Sequence, residues 1–102
     1  MKTEIYHCFD KYRQEFEPYG FTCEMWMPEI MHKEDKHNEI EINYLPQGSI
    51  TYWQRNRKIT ILNKRLLLFW GMIPHKIIHY EQLDKYYVCT IPLAKFLSWN
   101  LP

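Results

Sequence analysis

Histidine and carboxylate side chains recur in two stretches of the chain at spacings that suit a ligand or metal site. Asp35, His37 and Glu41 lie in the first stretch, and His75 and His79 lie in the second. Imidazole and carboxylate groups are the ligands that zinc, iron and manganese take in proteins. The sequence therefore offers Asp35, His37, Glu41 and His75 as a candidate site for a divalent metal (Zn, Fe or Mn).

Strand periodicity places these groups on common faces, because successive side chains of a strand point to opposite sides. Within residues 39–45, Glu41 and Asn43 share a polar face with Glu39. Within residues 75–80, His75 and His79 share a face. The predicted effector-binding set combines these faces with one tryptophan: His37, Glu41, Asn43, Trp70, His75 and His79. The assignment assumes that no β-bulge interrupts the alternation.

Short runs rich in β-branched and aromatic residues, separated by turn residues, must position these groups. Strands spaced in this way are typical of an all-β sandwich or barrel. After the last run, Pro92 suits the start of a helix, with Leu93, Phe96 and Leu97 at helical spacing. The runs are 21–27, 39–45, 49–54, 58–62, 66–70, 75–80 and 86–91.

The two ends of the chain differ from this strand pattern. Residues 1–20 are predicted to be an N-terminal arm, and residues 21–102 a single domain. A short helix over residues 5–17 is one alternative, because Phe9, Tyr12 and Phe16 fall at helical spacing. The apolar end at residues 99–102 suggests the edge of a larger protein.

The spacing of the first stretch resembles the first motif of the cupin superfamily, H-x-H-x3-E-x6-G. His37, Glu41 and Gly48 match that motif, while Asp35 stands where its first histidine normally lies. Pro74-His75 resembles the end of the second cupin motif, whose early glycine is missing here. The resemblance implies an all-β, cupin-like jelly roll or β-barrel with a short C-terminal helix.

A second resemblance is to the sensor domains of AraC-family transcription regulators. Three segments carry it in the right order: 37–48 (HNEIEINY, then Gly48), 68–75 (LFWG, then Pro74-His75) and 87–102. It implies a domain that binds a small effector, often a sugar, and that takes part in homodimers. DNA binding in that family resides in a separate C-terminal domain with two helix-turn-helix motifs, which is absent from this chain.

Composition agrees with a sensor domain that has no DNA-binding surface of its own. The net charge is +1 over 102 residues, whereas nucleic-acid modules usually carry a basic patch. Hydrophobic residues make up 46% of the chain, which is enough for a packed core. The chain contains no signal peptide and no apolar run long enough to span a membrane, so a cytoplasmic protein is expected.

The three cysteines, Cys8, Cys23 and Cys89, form no CxxC pair. This excludes a zinc ribbon and a thioredoxin-type motif, and favours free buried thiols in a reducing compartment. The sequence also has no nucleophile elbow, phosphate loop or helical zinc motif, so no catalytic residue is assigned. A small metal-dependent cupin enzyme remains the alternative function.

Two further alternatives concern the inner polar groups and the tryptophans. His37, Glu41 and His75 form either a metal site or a hydrogen-bonded cluster that contacts an effector, and the second is favoured. The four tryptophans offer flat faces for a sugar ring, or they belong to the core. Phe96, Leu97, Trp99 and Leu101 form an apolar patch that suits a dimer interface.

Overall fold

The structure, a computed structural model, describes residues 6–99 and contains seven strands and one helix within that range. All seven predicted strands are present, and each end lies within one residue of the expected position. The elements are β1 (Thr22–Trp26), β2 (Glu39–Tyr44), β3 (Ser49–Gln54), β4 (Arg57–Leu62), β5 (Leu66–Trp70), β6 (His75–Glu81), β7 (Tyr86–Pro92) and α1 (Leu93–Ser98).

The strands form two antiparallel sheets, with the orders β1-β7-β2-β5 and β4-β3-β6. The chain passes between the sheets after β2, β4, β5 and β6, which is the connectivity of a jelly roll. An isolated antiparallel bridge joins Asp35 to His75 at the free edge of β6. The predicted all-β jelly roll with a short C-terminal helix is confirmed.

Local sequence explains the connections between neighbouring strands. Arg55 and Asn56 link β3 to β4, and both have positive φ angles, 51° and 59°. Two such residues form the tight turn whose twist matches a β-hairpin. Gly48, which matches the cupin motif, has a φ of 70°, and a Cβ there would collide with the backbone of Glu81 and Gln82. A side chain at this position would therefore force the start of β3 away from the end of β6.

The hydrophobic core lies between the two sheets. Ile50, Tyr52 and Ile77 extend into it from the three-stranded sheet, and Tyr86 and Val88 extend from the facing sheet. Alternation along β3 and β7 buries these side chains and leaves their neighbours outside. Burying one large apolar side chain contributes about 1.5–3 kcal/mol, so the interlocked faces hold the sheets together.

The helix considered for residues 5–17 is absent over residues 6–17, which form turns and one bridge. The backbone of His7 pairs with β1 by bonds to Met25 (3.0 Å) and Met27 (2.8 Å). Phe16 has a φ of 67°, which no helix residue adopts. These contacts outweigh the local helical spacing, and the segment is held instead by backbone bonds at His7 and from Phe16 to Lys36.

Helix α1 follows β7 directly, as expected from the residues after Pro92. Phe96 is half-buried, whereas Leu97 and Trp99 are 67% and 41% exposed. Leu101, the last member of the predicted apolar patch, lies outside the described residues. Among residues 6–99, no helix has the length and apolar character needed to cross a membrane.

The expectation of buried thiols is wrong. Cys8 and Cys23 are exposed, and Cys89 is half-buried. Cys23 and Cys89 lie on the outer face of the four-stranded sheet, where β1 and β7 turn their odd-numbered residues away from the core.

Candidate functional site

The centre of the site is a histidine held between two glutamates inside the barrel. His37 is fully buried, and it precedes β2. Its Nδ1 lies 2.9 Å from Glu39 Oε1, and its Nε2 lies 2.9 Å from Glu41 Oε1. Both carboxylates extend from the inner face of β2, as the alternation of that strand predicts. The two ring nitrogens are thus placed to donate to two carboxylates at once.

Electrostatics favour the charged forms of this cluster. Burial opposes the charge on His37, but the hydrogen bond to Glu41 and the surrounding negative charges outweigh it and raise the pKa of His37 above its ordinary value. Burial likewise opposes the charge on Glu41, yet the bond from His37 and the charge of His75 lower the pKa of Glu41. The arrangement is therefore an imidazolium paired with carboxylates, in accord with the cost of burying either charge alone.

Asn43 extends the cluster toward the three-stranded sheet. Its Nδ2 donates to Glu41 Oε2 at 2.9 Å and to the Tyr52 hydroxyl at 2.7 Å. Asn43 and Tyr52 are buried, and desolvation raises the pKa of Tyr52 well above its ordinary value. Glu41 is thereby fixed from both sides, by His37 on one oxygen and by Asn43 on the other.

His75, at the start of β6, faces the same cluster from the opposite sheet. Its Nδ1 lies 2.8 Å from the carbonyl oxygen of Ile73, which assigns the proton to Nδ1. Its Nε2 lies 3.7 Å from Glu41 Oε1, and its ring meets that of His37 edge-on with centroids 5.2 Å apart. Nε2 is therefore the nitrogen of His75 that is available to a ligand.

The N-terminal segment supplies a buried cation to the site. Arg13 Nε lies 3.1 Å from both carboxylate oxygens of Asp35, and each side chain is 6% exposed. The Tyr19 hydroxyl donates to Asp35 at 3.1 Å, and the guanidinium lies 4.0 Å from the centre of the Tyr19 ring. Burial, followed by the charge of Asp35, raises the pKa of Tyr19. Nη2 of Arg13 has no hydrogen-bond partner among residues 6–99.

A cavity opens beside this cluster between the two sheets. Its volume is about 40 Å³, measured as the space open to the centre of a water molecule. Trp26 lines this cavity, and its Nε1 is buried with no hydrogen-bond partner in the described part of the chain. The residues that bear on its chemistry are the polar Glu41, His75 and Thr90 and the apolar Met31, Ile77 and Val88.

The predicted metal ligands can be compared with this geometry. Potential ligand atoms of Asp35, His37 and His75 lie within 4.8 Å of one another. Asp35, however, already binds Arg13, and both nitrogens of His37 bind glutamates. A metal ion would add positive charge beside a guanidinium and an imidazolium. As arranged, the residues form a hydrogen-bonded cluster, and a metal ion would have to replace the bonds of Asp35 and His37.

Four of the six residues predicted to contact an effector come together, and two do not. His37, Glu41, Asn43 and His75 form the cluster described above. Trp70 lies on the outer face of β5, 43% exposed, with its Nε1 bonded to Asn38 at 3.1 Å. His79 is also outside, where its side chain is 59% exposed and pairs with Glu81.

A bulge causes the error at His79. Thr51 pairs with His79 while the next residue of β3, Tyr52, pairs with Ile77, so Ile78 is an extra residue in β6. An extra residue reverses the alternation beyond it. His75 and Ile77 therefore point inward, whereas His79 points to solvent.

Sequence reasoning missed Arg13 and Tyr19, and it considered Trp26 only as one of four tryptophans that could face a sugar, not as a member of the site. The first two belong to the segment whose local pattern suggested a helix, and no spacing rule links Arg13 to Asp35. Trp26 could have been identified, because inner and outer residues alternate along β1 and Thr22 lines the same cavity.

No protein-family model matches this sequence. The chain is 26% identical over 108 aligned residues to the melibiose operon regulatory protein of Escherichia coli, both in strain K12 and in strain O6:H1. The alignment covers 99% of this chain but 36% of those relatives, so the chain spans about a third of their length. The relatives named here are regulatory proteins, which supports in part the resemblance carried by the three sequence segments.

A solved structure of the EutQ protein from Clostridium difficile is also similar. The TM-score is 0.44 at 17% identity, and the match covers 72% of this chain and 51% of that one. The fold described above rests on the strand order and register of this chain.

Proposed function

We propose that this chain is the effector-sensing domain of an AraC-type transcription regulator, and that a small polar molecule binds between its two sheets. The observation that carries the proposal is a cavity lined by Glu41 and His75, two members of the buried cluster around His37, together with apolar side chains. Ligand sites combine apolar walls with a few placed polar groups. Similarity to a regulatory protein along 99% of the chain supports the same function.

A sugar is the ligand class that this wall suits best. Trp26 provides a flat face and an unpartnered Nε1, while Glu41 accepts hydrogen bonds and Thr90 carries a hydroxyl. His75 Nε2, 3.7 Å from Glu41 Oε1, adds one more polar atom. Sugar rings have apolar C–H faces and polar rims, so a pocket with both kinds of surface recognises them.

The cavity must enlarge before it admits a sugar. A water needs roughly 10–15 Å³ on the same measure, so the present volume holds about three waters. Phe9 and Tyr19 of the segment 6–20 line the cavity. We infer that effector binding displaces this segment from the cavity. The signal is the resulting shift in population between the two positions of the segment, and its size depends on how much more tightly the effector binds one of them.

DNA binding and dimerisation belong to the complete regulator in this proposal. The DNA contacts reside in helix-turn-helix motifs outside this chain, and the homodimer uses surfaces that include the exposed Leu97 and Trp99 of helix α1. Sedimentation equilibrium tests the second point. A strict monomer at high concentration counts against self-association through α1.

The experiment that tests the sugar site is calorimetric titration with melibiose, galactose and glucose. Glu41→Gln keeps the shape of the side chain and removes its charge, and we expect at least a tenfold weaker affinity, about 1.4 kcal/mol. Trp70→Phe is the control, because Trp70 lies on the outer face, and its affinity should be unchanged. Circular dichroism establishes that both variants are folded.

If the folded protein binds none of these three sugars, the proposal that the ligand is a sugar is wrong. Equal losses in the two variants would mean that the site lies elsewhere.

A metal-binding cupin enzyme is the second candidate, favoured by the proximity of Asp35, His37 and His75. Elemental analysis before and after mild chelation separates the two functions. A stoichiometric metal that returns on titration, and that His75→Ala releases, would favour the enzyme. A folded, metal-free protein would favour the sensor.

A further inference from the structure

Two cysteines face each other on the outer surface of the four-stranded sheet, opposite the cavity. Cys23 of β1 and Cys89 of β7 are direct partners in the antiparallel register. The preceding pair in that register, Thr22 and Thr90, lines the cavity on the other side. The cysteines therefore lie away from the cluster of histidines and carboxylates, and nothing in the proposed sensing mechanism uses them.

The backbone already has the spacing that a disulfide needs. Cα atoms of directly paired residues in antiparallel strands lie about 4.5–5.5 Å apart. A disulfide spans Cα distances of about 4.4–6.8 Å. The two Sγ atoms are 2.7 Å apart, so the side chains already point at each other. Bond formation requires a small side-chain adjustment and no change of register.

The two thiols differ in access and in acidity. Cys23 is exposed, whereas Cys89 is half-buried and directs its S–H toward the sulfur of Cys23. Burial, together with the hydrogen bond to Cys23, raises the pKa of Cys89 to about 11. Cys23 is thus the thiol that an external reagent meets first, and Cys89 is placed to react with it afterwards.

We propose that Cys23 and Cys89 are a redox modification site, oxidised to a cross-strand disulfide by low-molecular-weight disulfides such as oxidised glutathione. The thiolate of Cys23 attacks one sulfur of the reagent, which breaks the reagent's S–S bond, forms a mixed disulfide and releases one thiolate. Cys89, on losing its proton, attacks Cys23 Sγ and releases the second thiolate. In total, two protein thiols are oxidised and one disulfide is reduced to two thiols.

The bond would tie the edge strand β1 to β7 and close a loop between positions 66 residues apart. Because Thr22 and Thr90 line the cavity next to the cysteines, oxidation would fix the spacing of that wall. The inference stands whether or not the cavity binds a sugar, because it rests on the outer face of the sheet.

Mass spectrometry after thiol blocking tests this site. The folded protein is incubated with oxidised glutathione, denatured, treated with iodoacetamide and weighed intact. We expect one alkylated cysteine and a peptide in which Cys23 is linked to Cys89. Cys8 is the internal control, since it is exposed but its sulfur lies 3.8 Å from Met27 and not beside another cysteine.

Two variants separate formation of the mixed disulfide from formation of the internal disulfide. In Cys89→Ser the first step remains, so a glutathione adduct should accumulate on Cys23. Cys8→Ser should still form the internal link, with no cysteine left for alkylation, and the link should raise the melting temperature by at least about 5 °C. Three alkylated cysteines after incubation would overturn the proposal. So would adducts spread equally over Cys8 and Cys23 without a link, or links between chains only.

Discussion

Replacing Arg13 by Met tests whether the N-terminal segment is held by a buried ion pair. Arg13 and Asp35 are each 6% exposed, and Nε lies 3.1 Å from both oxygens of the carboxylate. The substitution keeps the length of the side chain and removes its charge. Asp35 then retains the Tyr19 hydroxyl and the backbone N–H of Lys36 as donors, but no cation bonded to it.

The expected cost follows from that burial. Removing one partner of a buried ion pair costs about 3–5 kcal/mol, because the other charge is left uncompensated. Small domains have total stabilities of about 5–15 kcal/mol, so Arg13→Met should lose a large fraction of the free energy of unfolding. The double variant Arg13→Met/Asp35→Asn removes both charges. We expect it to be more stable than Arg13→Met alone, since nothing charged is then left without its partner.

Urea denaturation followed by tryptophan fluorescence measures both effects. The exposed pair of Lys36 and Glu15 supplies the control: these side chains are 31% and 42% exposed and 4.0 Å apart. Glu15→Gln should change the free energy of unfolding by less than about 1 kcal/mol. If Arg13→Met also changes it by less than about 1 kcal/mol, or if the double variant is the least stable, the buried pair does not hold the segment.

Three more outcomes follow from the cluster. The pKa of His37 is raised from 6.5, so the stability that His37 contributes is present below pH 6.5 and is lost as the pH rises above it. The pKa of Glu41 is lowered from 4.5, so the stability that Glu41 contributes is lost as the pH falls below 4.5. Urea midpoints should be highest between these values, and the alkaline decline, at most about 1.4 kcal/mol per pH unit for one proton, should disappear in His37→Gln. Gly71→Ala should unfold or loosen the site, because its Cβ would collide with the ring of His37; circular dichroism melting detects this, and an unchanged melting temperature would contradict the packing. Tyr52→Phe should cost about 1 kcal/mol in the same urea assay by removing an acceptor of Asn43, and no loss would mean that this bond adds nothing.

The sequence predicts the strands well because their signals are local. Turn residues separate the runs, and strict alternation along β2 correctly places Glu41 and Asn43 on one common face, which the structure turns inward. In β5 all five residues are apolar, so residue type does not distinguish the buried Phe69 from the exposed Leu68 and Trp70. The orientation of Trp70 depends on pairing with β2, which no pattern within the strand records.

Long-range pairing accounts for the other differences. The extra residue Ile78 is accommodated by the register between β3 and β6, and its presence is not visible in residue types. Arg13 pairs with a carboxylate 22 positions away in a loop. The local spacing around Arg13 favours a helix, but burial of its charge against Asp35 requires an irregular backbone.

The position of β7 between β1 and β2 has a consequence for how the protein is made. Glu41 of β2 and Thr22 of β1 share one cavity wall only when Thr90 of β7 separates them. During synthesis the first two strands leave the ribosome long before the last, so His37 and its glutamates stay hydrated until β7 arrives. Pairings between distant segments close slowly. This cavity wall is therefore assembled in one late step, after all seven strands have been translated.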